Sequence, residues 1–205
     1  MNNPDSSRIN IRNDLVIRDA REEEQGAIRD LTLRVYGEYA AIMTPAAWVG
    51  LEQAVRGALA SEEAREQIVA ERGGALVGSV LLFPPATDTY HGLVPHATWP
   101  EVRLLAVAPE ARGQGVGRAL MDECVRRARQ AGAAELGLHT SKSMQVAIGM
   151  YERMGFVRAP EYDFQPEGAE LVQAFRLRLG DPRPETAVTT APPPAGDKDK
   201  QEQQP

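Results

Sequence analysis

The stretch that decides the fold is residues 101–131, EVRLLAVAPEARGQGVGRALMDECVRRARQA. It begins with a mostly apolar run over residues 102–108, which Pro109 ends because proline cannot donate to a sheet ladder. Both alternating faces of this run are mostly apolar, so it is predicted to be a strand buried on both sides. A glycine-rich turn follows, and the next apolar residues recur at helical spacing. The stretch therefore predicts a strand, a glycine turn and a helix, in that order.

The predicted helix has one apolar stripe and one polar face. The stripe consists of Val116, Ala119, Leu120, Cys124 and Ala128, and the polar face carries Arg126, Arg127 and Gln130. Gly132 follows at the position where a left-handed helix cap is expected. Cys124 is the one cysteine of the chain. Its place on the stripe predicts a small buried apolar residue and not a reactive thiol.

The glycine turn has the chemistry of an anion-binding site. The first amides of a helix have no partner within the helix, and the helix dipole adds partial positive charge at that end. Glycines let backbone N–H groups approach a phosphate closely, and two arginines flank the turn with positive charge. We therefore predict that a pyrophosphate binds at Arg112, Gly113, Gln114, Gly115, Val116, Gly117 and Arg118.

The spacing of the turn narrows the choice of ligand. R-x-x-G-x-G is neither the G-x-G-x-x-G of dinucleotide folds nor a P-loop, and no lysine follows the glycines. Residues 105–121, LAVAPEARGQGVGRALM, closely resemble the acetyl-CoA signature of the GNAT superfamily of N-acetyltransferases. That signature is [RQ]-x-x-G-x-[GA] after a strand that ends in V-x-P. The resemblance implies acetyl-CoA as the cosubstrate, with no metal.

A second block, MQVAIGMYERMGF at residues 144–156, resembles the A-x-x-x-Y-x-x-x-G-F signature of the same superfamily. The resemblance implies that Tyr151 lies near the sulfur of CoA and protonates the leaving thiolate. Phenol and thiol have pKa values of about 10 and 8.5, close enough for efficient proton transfer. The alternative is a tyrosine that only packs on the apolar face of its helix. Met144 stands where many family members have Asn, so the polar contact that Asn makes to the cofactor is not expected from this residue.

The resemblance also assigns roles to the backbone of the central strand. Leu105, Ala106 and Val107 are expected to pair with the pantetheine arm, which can be received as if it were another strand. The Val107 amide would then point at the thioester carbonyl and serve as oxyanion donor.

The acceptor amine must lose a proton before it attacks, because alkyl amines are mostly ammonium at pH 7. Glu101 lies six residues before Val107, a spacing at which several family members have a glutamate base. His139 on the neighbouring predicted strand, or a water molecule, are the alternatives. His91 and His96 are interpreted as surface residues of a long loop or as part of a substrate lid. No metal-ligand spacing occurs among the histidines, the cysteine and the carboxylates.

The remaining patterns predict the order β-α-α-β-β-β-α-β-α-β-β, which is that of the GNAT fold. We therefore expect an α+β fold with a mixed, mostly antiparallel β-sheet flanked by helices on both faces. The other predicted elements are a strand at 15–18, a helix ending near Gly37, a helix at 45–60, a hairpin of 67–72 and 76–83 around Gly73–Gly74, a strand at 135–140, a helix at 143–154 with Ser143 as N-cap, and strands at 156–158 and 170–179. Residues 1–13 are expected to be a flexible N-terminus, 14–180 the acetyltransferase domain, and 181–205 a disordered proline-rich tail.

Composition limits the partners. The chain has 205 residues and a formal net charge of −6, so a nucleic-acid surface is not expected. No run of about 18 apolar residues occurs, so we expect no membrane span and a cytoplasmic protein.

The acceptor, an amine of a small molecule or peptide, is expected between residues 36–44 and 84–100, with Tyr36, Tyr39 and Trp99 as candidate walls. Homodimers are common in the family.

These patterns favour an acetyl-CoA-dependent N-acetyltransferase that transfers the acetyl group directly within a ternary complex. Two alternatives remain open. One is a non-catalytic acyl-CoA-binding sensor or regulatory module, and the other is an O-acyl or longer-chain acyl transferase on the same fold.

Overall fold

The computed structural model of the chain describes residues 14–61, 65–87, 92–94, 97–166 and 170–180. The predictions for residues 1–13, residues 181–205, His91 and His96 lie outside the described residues. No helix in the described ranges is long and apolar enough to cross a membrane.

The described chain forms one seven-stranded sheet with four α-helices. The elements are β1 (Leu15–Asp19), α1 (Gln25–Gly37), α2 (Pro45–Ala60), β2 (Glu66–Arg72), β3 (Ala75–Phe83), β4 (Glu101–Val107), α3 (Val116–Gln130), β5 (Glu135–Ser141), α4 (Gln145–Arg153), β6 (Val157–Arg158) and β7 (Val172–Arg178). The strand order is β1-β2-β3-β4-β5-β7-β6, and every neighbouring pair is antiparallel except the parallel pair β4–β5. The predicted α+β order and the mixed, mostly antiparallel sheet are confirmed.

Local signals placed two of the connections correctly. The hairpin between β2 and β3 turns at Gly73 and Gly74, which both have positive φ, as a tight two-residue turn requires. Helix α2 begins at Pro45, and the Thr44 side chain accepts a hydrogen bond from the Ala47 amide at 3.3 Å.

The predicted N-cap of α4 is wrong. The helix begins at Gln145 after Met144, and the Ser143 hydroxyl donates instead to the Glu170 carboxylate at 2.6 Å. A carboxylate is a stronger acceptor than a neutral group, and it is brought to Ser143 by a segment 27 positions away. Sequence spacing near Ser143 could not show that competitor.

The apolar stripe of α3 is largely as predicted. Val116, Leu120, Cys124 and Ala128 are buried, Ala119 is half-buried, and Met121 and Val125 join them in the core. Burial raises the pKa of the Cys124 thiol to about 12. Cys124 is therefore a packing residue, as expected from the sequence.

The prediction that Arg127 belongs to the solvent-facing side of α3 is wrong. Its side chain is only 14% exposed, and it forms ion pairs with Asp19 and Glu66, both at 2.5 Å, and with Glu123 at 2.8 Å. Asp19 and Glu66 come from β1 and β2, so the sheet supplies carboxylates that allow this arginine to be buried.

The central strand β4 contains a β-bulge that its sequence does not show. Arg103 pairs with Leu81 and Ala106 with Ser79, so two residues of β4 face one residue of β3. Leu104, at the bulge, has a φ of +52°. On the other side, β4 pairs with β5 only at Glu101–Gly137 and Val102–Leu138, so within the described sheet these two strands part after Val102.

Gly137 on β5 is required by the packing of Trp99. A Cβ built on Gly137 would overlap the indole nitrogen of Trp99, which is itself buried. Gly137→Ala is therefore expected to lower the free energy of unfolding by about 1–3 kcal/mol, the usual cost of overpacking. Gly57→Ala is the matched control, because a Cβ there meets nothing within 4 Å and α2 gains helix propensity. Urea unfolding measures both, and equal stabilities would contradict the packing assigned to Gly137.

Candidate active site

A cavity of about 60 Å³ lies where β4 and β5 part. Its walls come from α1, the segment that follows it, β4, β5 and α4. The residues that line it are Val35, Tyr36, Tyr39, Val102, Arg103, Leu104, Leu105, His139, Thr140, Met144, Ala147 and Tyr151. The cavity thus brings Tyr151 and His139, which are 12 positions apart in the sequence, to one small space.

The Val107 amide points toward the opening beside β4. Val107 lies opposite Gly78, while the next amide, that of Ala108, donates to the Val77 carbonyl at 3.0 Å. This pattern makes Val107 and Gly78 a non-hydrogen-bonded pair, so the N–H and C=O groups of Val107 point away from β3. The side away from β3 is the side on which β5 has diverged. An extended ligand could therefore pair with β4 there.

The glycine turn before α3 has the conformation that an anion site needs. Gly113 and Gly115 have φ values of +71° and +82°, and a Cβ on either would meet nothing within 4 Å. Gly115 is the N-cap and supplies no side-chain cap, and its carbonyl accepts the first helical bond, from the Ala119 amide at 2.9 Å. The amides of Val116 and the two residues after it precede that bond and face outward from the helix end.

Side chains around the turn are held by neighbouring groups. Arg112 pairs with Glu38 at 2.7 Å and donates to the Val107 carbonyl at 3.3 Å. Arg118 pairs with Asp122 at 2.9 Å. Both pairs are exposed, so they are weak and can exchange for a ligand phosphate.

The side chain of Gln114 is held by hydrogen bonds within the protein. The side-chain amide donates to the Glu110 carbonyl at 2.9 Å and accepts from Arg72. Of the seven turn residues predicted from the sequence, all lie on this one loop and helix start.

Tyr151 is both a core residue and a cavity residue. It is 6% exposed, its ring centroid lies 5.9 Å from that of Phe156, and it also lines the cavity. Burial raises the pKa of its hydroxyl, and the nearby Tyr36 and Tyr39 raise it further. The phenol is therefore neutral in the ligand-free protein, and its pKa lies further above that of a thiol than the values of the free groups do.

The two candidate bases, Glu101 and His139, are hydrogen-bonded to each other. His139 Nδ1 lies 3.0 Å from Glu101 Oε1, and His139 Nε2 lies 3.0 Å from the Tyr162 carbonyl oxygen. The side chains are 4% exposed for His139 and 9% for Glu101. Because a carbonyl oxygen only accepts, Nε2 carries a hydrogen, and Nδ1 and the carboxylate share one proton. His139 lines the cavity, and Glu101 is not among its lining residues.

Of the three residues that were expected to line the acceptor site, two line the cavity and one does not. Tyr36 and Tyr39 line the cavity, with ring centroids 6.1 Å apart. The prediction for Trp99 is wrong, because its ring is buried beside Gly137 and contacts Tyr162 edge-on at a centroid distance of 4.6 Å. It fills the space that Gly137 leaves and is not a lining residue.

Sequence reasoning missed Thr140. It continues the buried face of β5 after Leu136 and Leu138, and it also lines the cavity. The sequence did contain a signal for it, because Thr140 is a hydroxyl residue that follows Leu136 and Leu138 at alternate positions of the strand. Arg103, also missed, lines the cavity and has its guanidinium carbon 5.6 Å from the centroid of the Phe83 ring.

Strands β4 and β5 part close to the glycine turn at which α3 begins. The sequence model of the Acetyltransferase (GNAT) family matches residues 27–156, and the chain belongs to this family.

Curated relatives carry acetyltransferase names. The chain is similar to a probable N-acetyltransferase family 8 member 5 from Mus musculus, with 36% identity over 46% of this chain and 39% of that protein. It is also similar to an IAA acetyltransferase from Azospirillum brasilense, with 34% identity over 53% of this chain and 63% of that protein. The similarity therefore covers less than two thirds of each relative.

The fold of this chain is similar to the folds of solved acetyltransferase structures. The yncA structure from Salmonella typhimurium, which was solved with its cofactor acetyl-CoA, superposes with a TM-score of 0.56 at 18% identity. The superposition covers 82% of this chain and 95% of that one. At this identity the likeness establishes the fold alone.

Proposed function

We propose that this protein is an N-acetyltransferase that moves an acetyl group from acetyl-CoA to a primary amine of a small molecule or peptide. The transfer is direct, within a ternary complex. The observation that carries the proposal is the cavity at the β4–β5 opening, because it brings together a buried neutral phenol and a buried imidazole that is hydrogen-bonded to Glu101.

Binding of the cosubstrate uses two groups of backbone amides. The outward amides at the start of α3, with Arg112 and Arg118 beside them, hold the pyrophosphate. The edge of β4 at Leu105, Ala106 and Val107 pairs with the pantetheine arm, which explains why β5 must diverge here. Together they direct the thioester end toward the cavity.

Acid and base roles follow from the protons that the side chains hold. Tyr151 donates its hydroxyl proton to the departing thiolate. The Glu101 carboxylate accepts the proton of the amine through one water, because Glu101 is not itself among the residues that line the cavity. The Val107 amide, which points to the opening, donates to the oxygen on which negative charge develops.

Direct transfer is supported by the position of Cys124. The thiol lies in the core beneath α3 and its pKa is raised, so it cannot serve as the nucleophile of an acyl-enzyme. The amine therefore attacks the thioester itself.

The test is release of CoA thiol from acetyl-CoA in the presence of a panel of small-molecule amines and peptides. We expect amine-dependent thiol release. Saturable binding of acetyl-CoA without turnover across the panel would instead support a non-catalytic acyl-CoA-binding module. Turnover with alcohols, or only with longer acyl donors, would support the third alternative.

The substitution Tyr151→Phe tests whether Tyr151 is the general acid. We expect turnover to fall by about 10²–10⁴-fold, the usual contribution of a general acid, while the Kd of acetyl-CoA stays close to that of the wild type. Tyr162→Phe is the control, because its ring contacts Trp99 outside the cavity lining and its backbone carbonyl is retained. Wild-type turnover in Tyr151→Phe would leave Tyr151 a packing residue only.

A further inference from the structure

Thr140 on β5 has a buried hydroxyl with no hydrogen-bond partner. The residue is 5% exposed, and its Oγ1 is one of the few buried side-chain polar atoms in the described chain that no protein group satisfies. Buried polar groups in native proteins are normally paired, because an unpaired one is destabilising. A hydroxyl that the protein leaves unpaired is a candidate ligand contact.

Its location supports that interpretation. Thr140 lines the cavity at the β4–β5 opening together with Tyr151, His139 and Leu105. Leu136 and Leu138 precede it on the same face of β5 and are fully buried. Valine has nearly the same shape as threonine, so packing alone would be served equally well by an apolar residue here.

A second buried threonine shows the usual arrangement. Thr32 on α1 is 1% exposed, and its hydroxyl lies 3.3 Å from that of Ser79. Both threonines are buried, but of the two only Thr140 has its hydroxyl unpaired beside a cavity.

We propose that the Thr140 hydroxyl donates a hydrogen bond to the thioester carbonyl oxygen of the acyl donor. The inference rests on the proposed function. A cavity of about 60 Å³ holds a group of only a few heavy atoms, which suits a short acyl group at the end of the pantetheine arm. Tyr151 serves the sulfur of that thioester, so the carbonyl oxygen is the polar atom that remains. Thr140 then approaches the oxygen from β5, while the Val107 amide, which is outside the cavity lining, points away from β3 at the edge of β4.

Thr140→Val removes the hydroxyl and keeps the shape. We expect kcat to fall about 10²-fold, as for the loss of one oxyanion donor, with the Kd of CoA unchanged. Thr140→Ser keeps the hydroxyl and is expected to restore most of the turnover. The melting temperature of ligand-free Thr140→Val should equal or exceed that of the wild type, because an unpaired buried hydroxyl has been removed. A purely structural role would not combine higher stability with lower turnover.

Thr32→Val is the matched control. It leaves the Ser79 hydroxyl without its partner, so the melting temperature should fall while kcat remains that of the wild type.

Three results would overturn the proposal. The first is wild-type kcat in Thr140→Val. The second is an equal loss of affinity for CoA and acetyl-CoA, which would place the hydroxyl on a pantetheine amide. The third is a lower melting temperature in Thr140→Val, with turnover lost in proportion to folded protein. Failure of the proposed function is a separate result: the wild type would then release no thiol with any amine, while isothermal titration of CoA against acetyl-CoA would still test the Thr140 contact.

Discussion

Gly115→Glu is expected to raise the Kd of acetyl-CoA by about 10²–10³-fold. Two unit charges about 4 Å apart interact by about 4 kcal/mol near a protein surface, which is enough for such a loss. Gly115 is the N-cap of α3, and the new carboxylate would lie beside the amides that hold the pyrophosphate. It would repel the phosphates and would also accept hydrogen bonds from those amides itself.

Backbone strain must be separated from charge in this experiment. Gly115 has a φ of +82°, so any side chain there is strained. Gly115→Gln has the same strain and nearly the same size without the charge, and it should retain much more affinity than Gly115→Glu. High salt should narrow the difference between the two variants, because it screens exposed charges. If Gly115→Glu binds acetyl-CoA as the wild type does, in isothermal titration, the pyrophosphate lies elsewhere.

Glu101→Gln is expected to lower kcat by about 10²–10⁴-fold, the usual contribution of a general base. The glutamine amide can still donate to His139 Nδ1, so the 3.0 Å contact is preserved while the group can no longer accept a proton. The Kd of acetyl-CoA and the melting temperature should change little. Steady-state kinetics with saturating acetyl-CoA measure the effect.

A companion variant distinguishes the base from a group that only positions it. His139→Gln is the companion variant, and it should keep part of the activity because the carboxylate remains. Wild-type kcat in Glu101→Gln would show that Glu101 is not the base and would leave His139 or water to remove the proton of the amine.

Most of the features that could be predicted from the sequence depend on residues that are adjacent along the chain. Strand β4, the turn at Gly113 and Gly115, and the stripe of α3 follow one another within 30 positions, and each depends on local propensity, glycine conformation and periodicity. The order of elements was likewise available from local patterns, and the hairpin was correct because two adjacent glycines allow only a tight turn.

The three wrong predictions have one cause in common, which is a contact with a residue far away in the sequence. Trp99, Arg127 and Ser143 each received a local interpretation, and each is controlled by a residue far away in the sequence: Gly137, Glu66 and Glu170. Neither periodicity nor spacing contains information about such partners.

The sequence by itself determined the glycine turn and the strand that leads to it, because those features depend on neighbours along the chain, and the resemblance of residues 144–156 to a family signature supplied the acid candidate. Only the tertiary structure decided that β4 bulges at Leu104 and parts from β5, that Glu101 and His139 form one hydrogen-bonded pair, and that the Thr140 hydroxyl is buried without a partner. The physical reason is that pairing, register and burial are set by contacts between separate strands, which exist only once the sheet has formed.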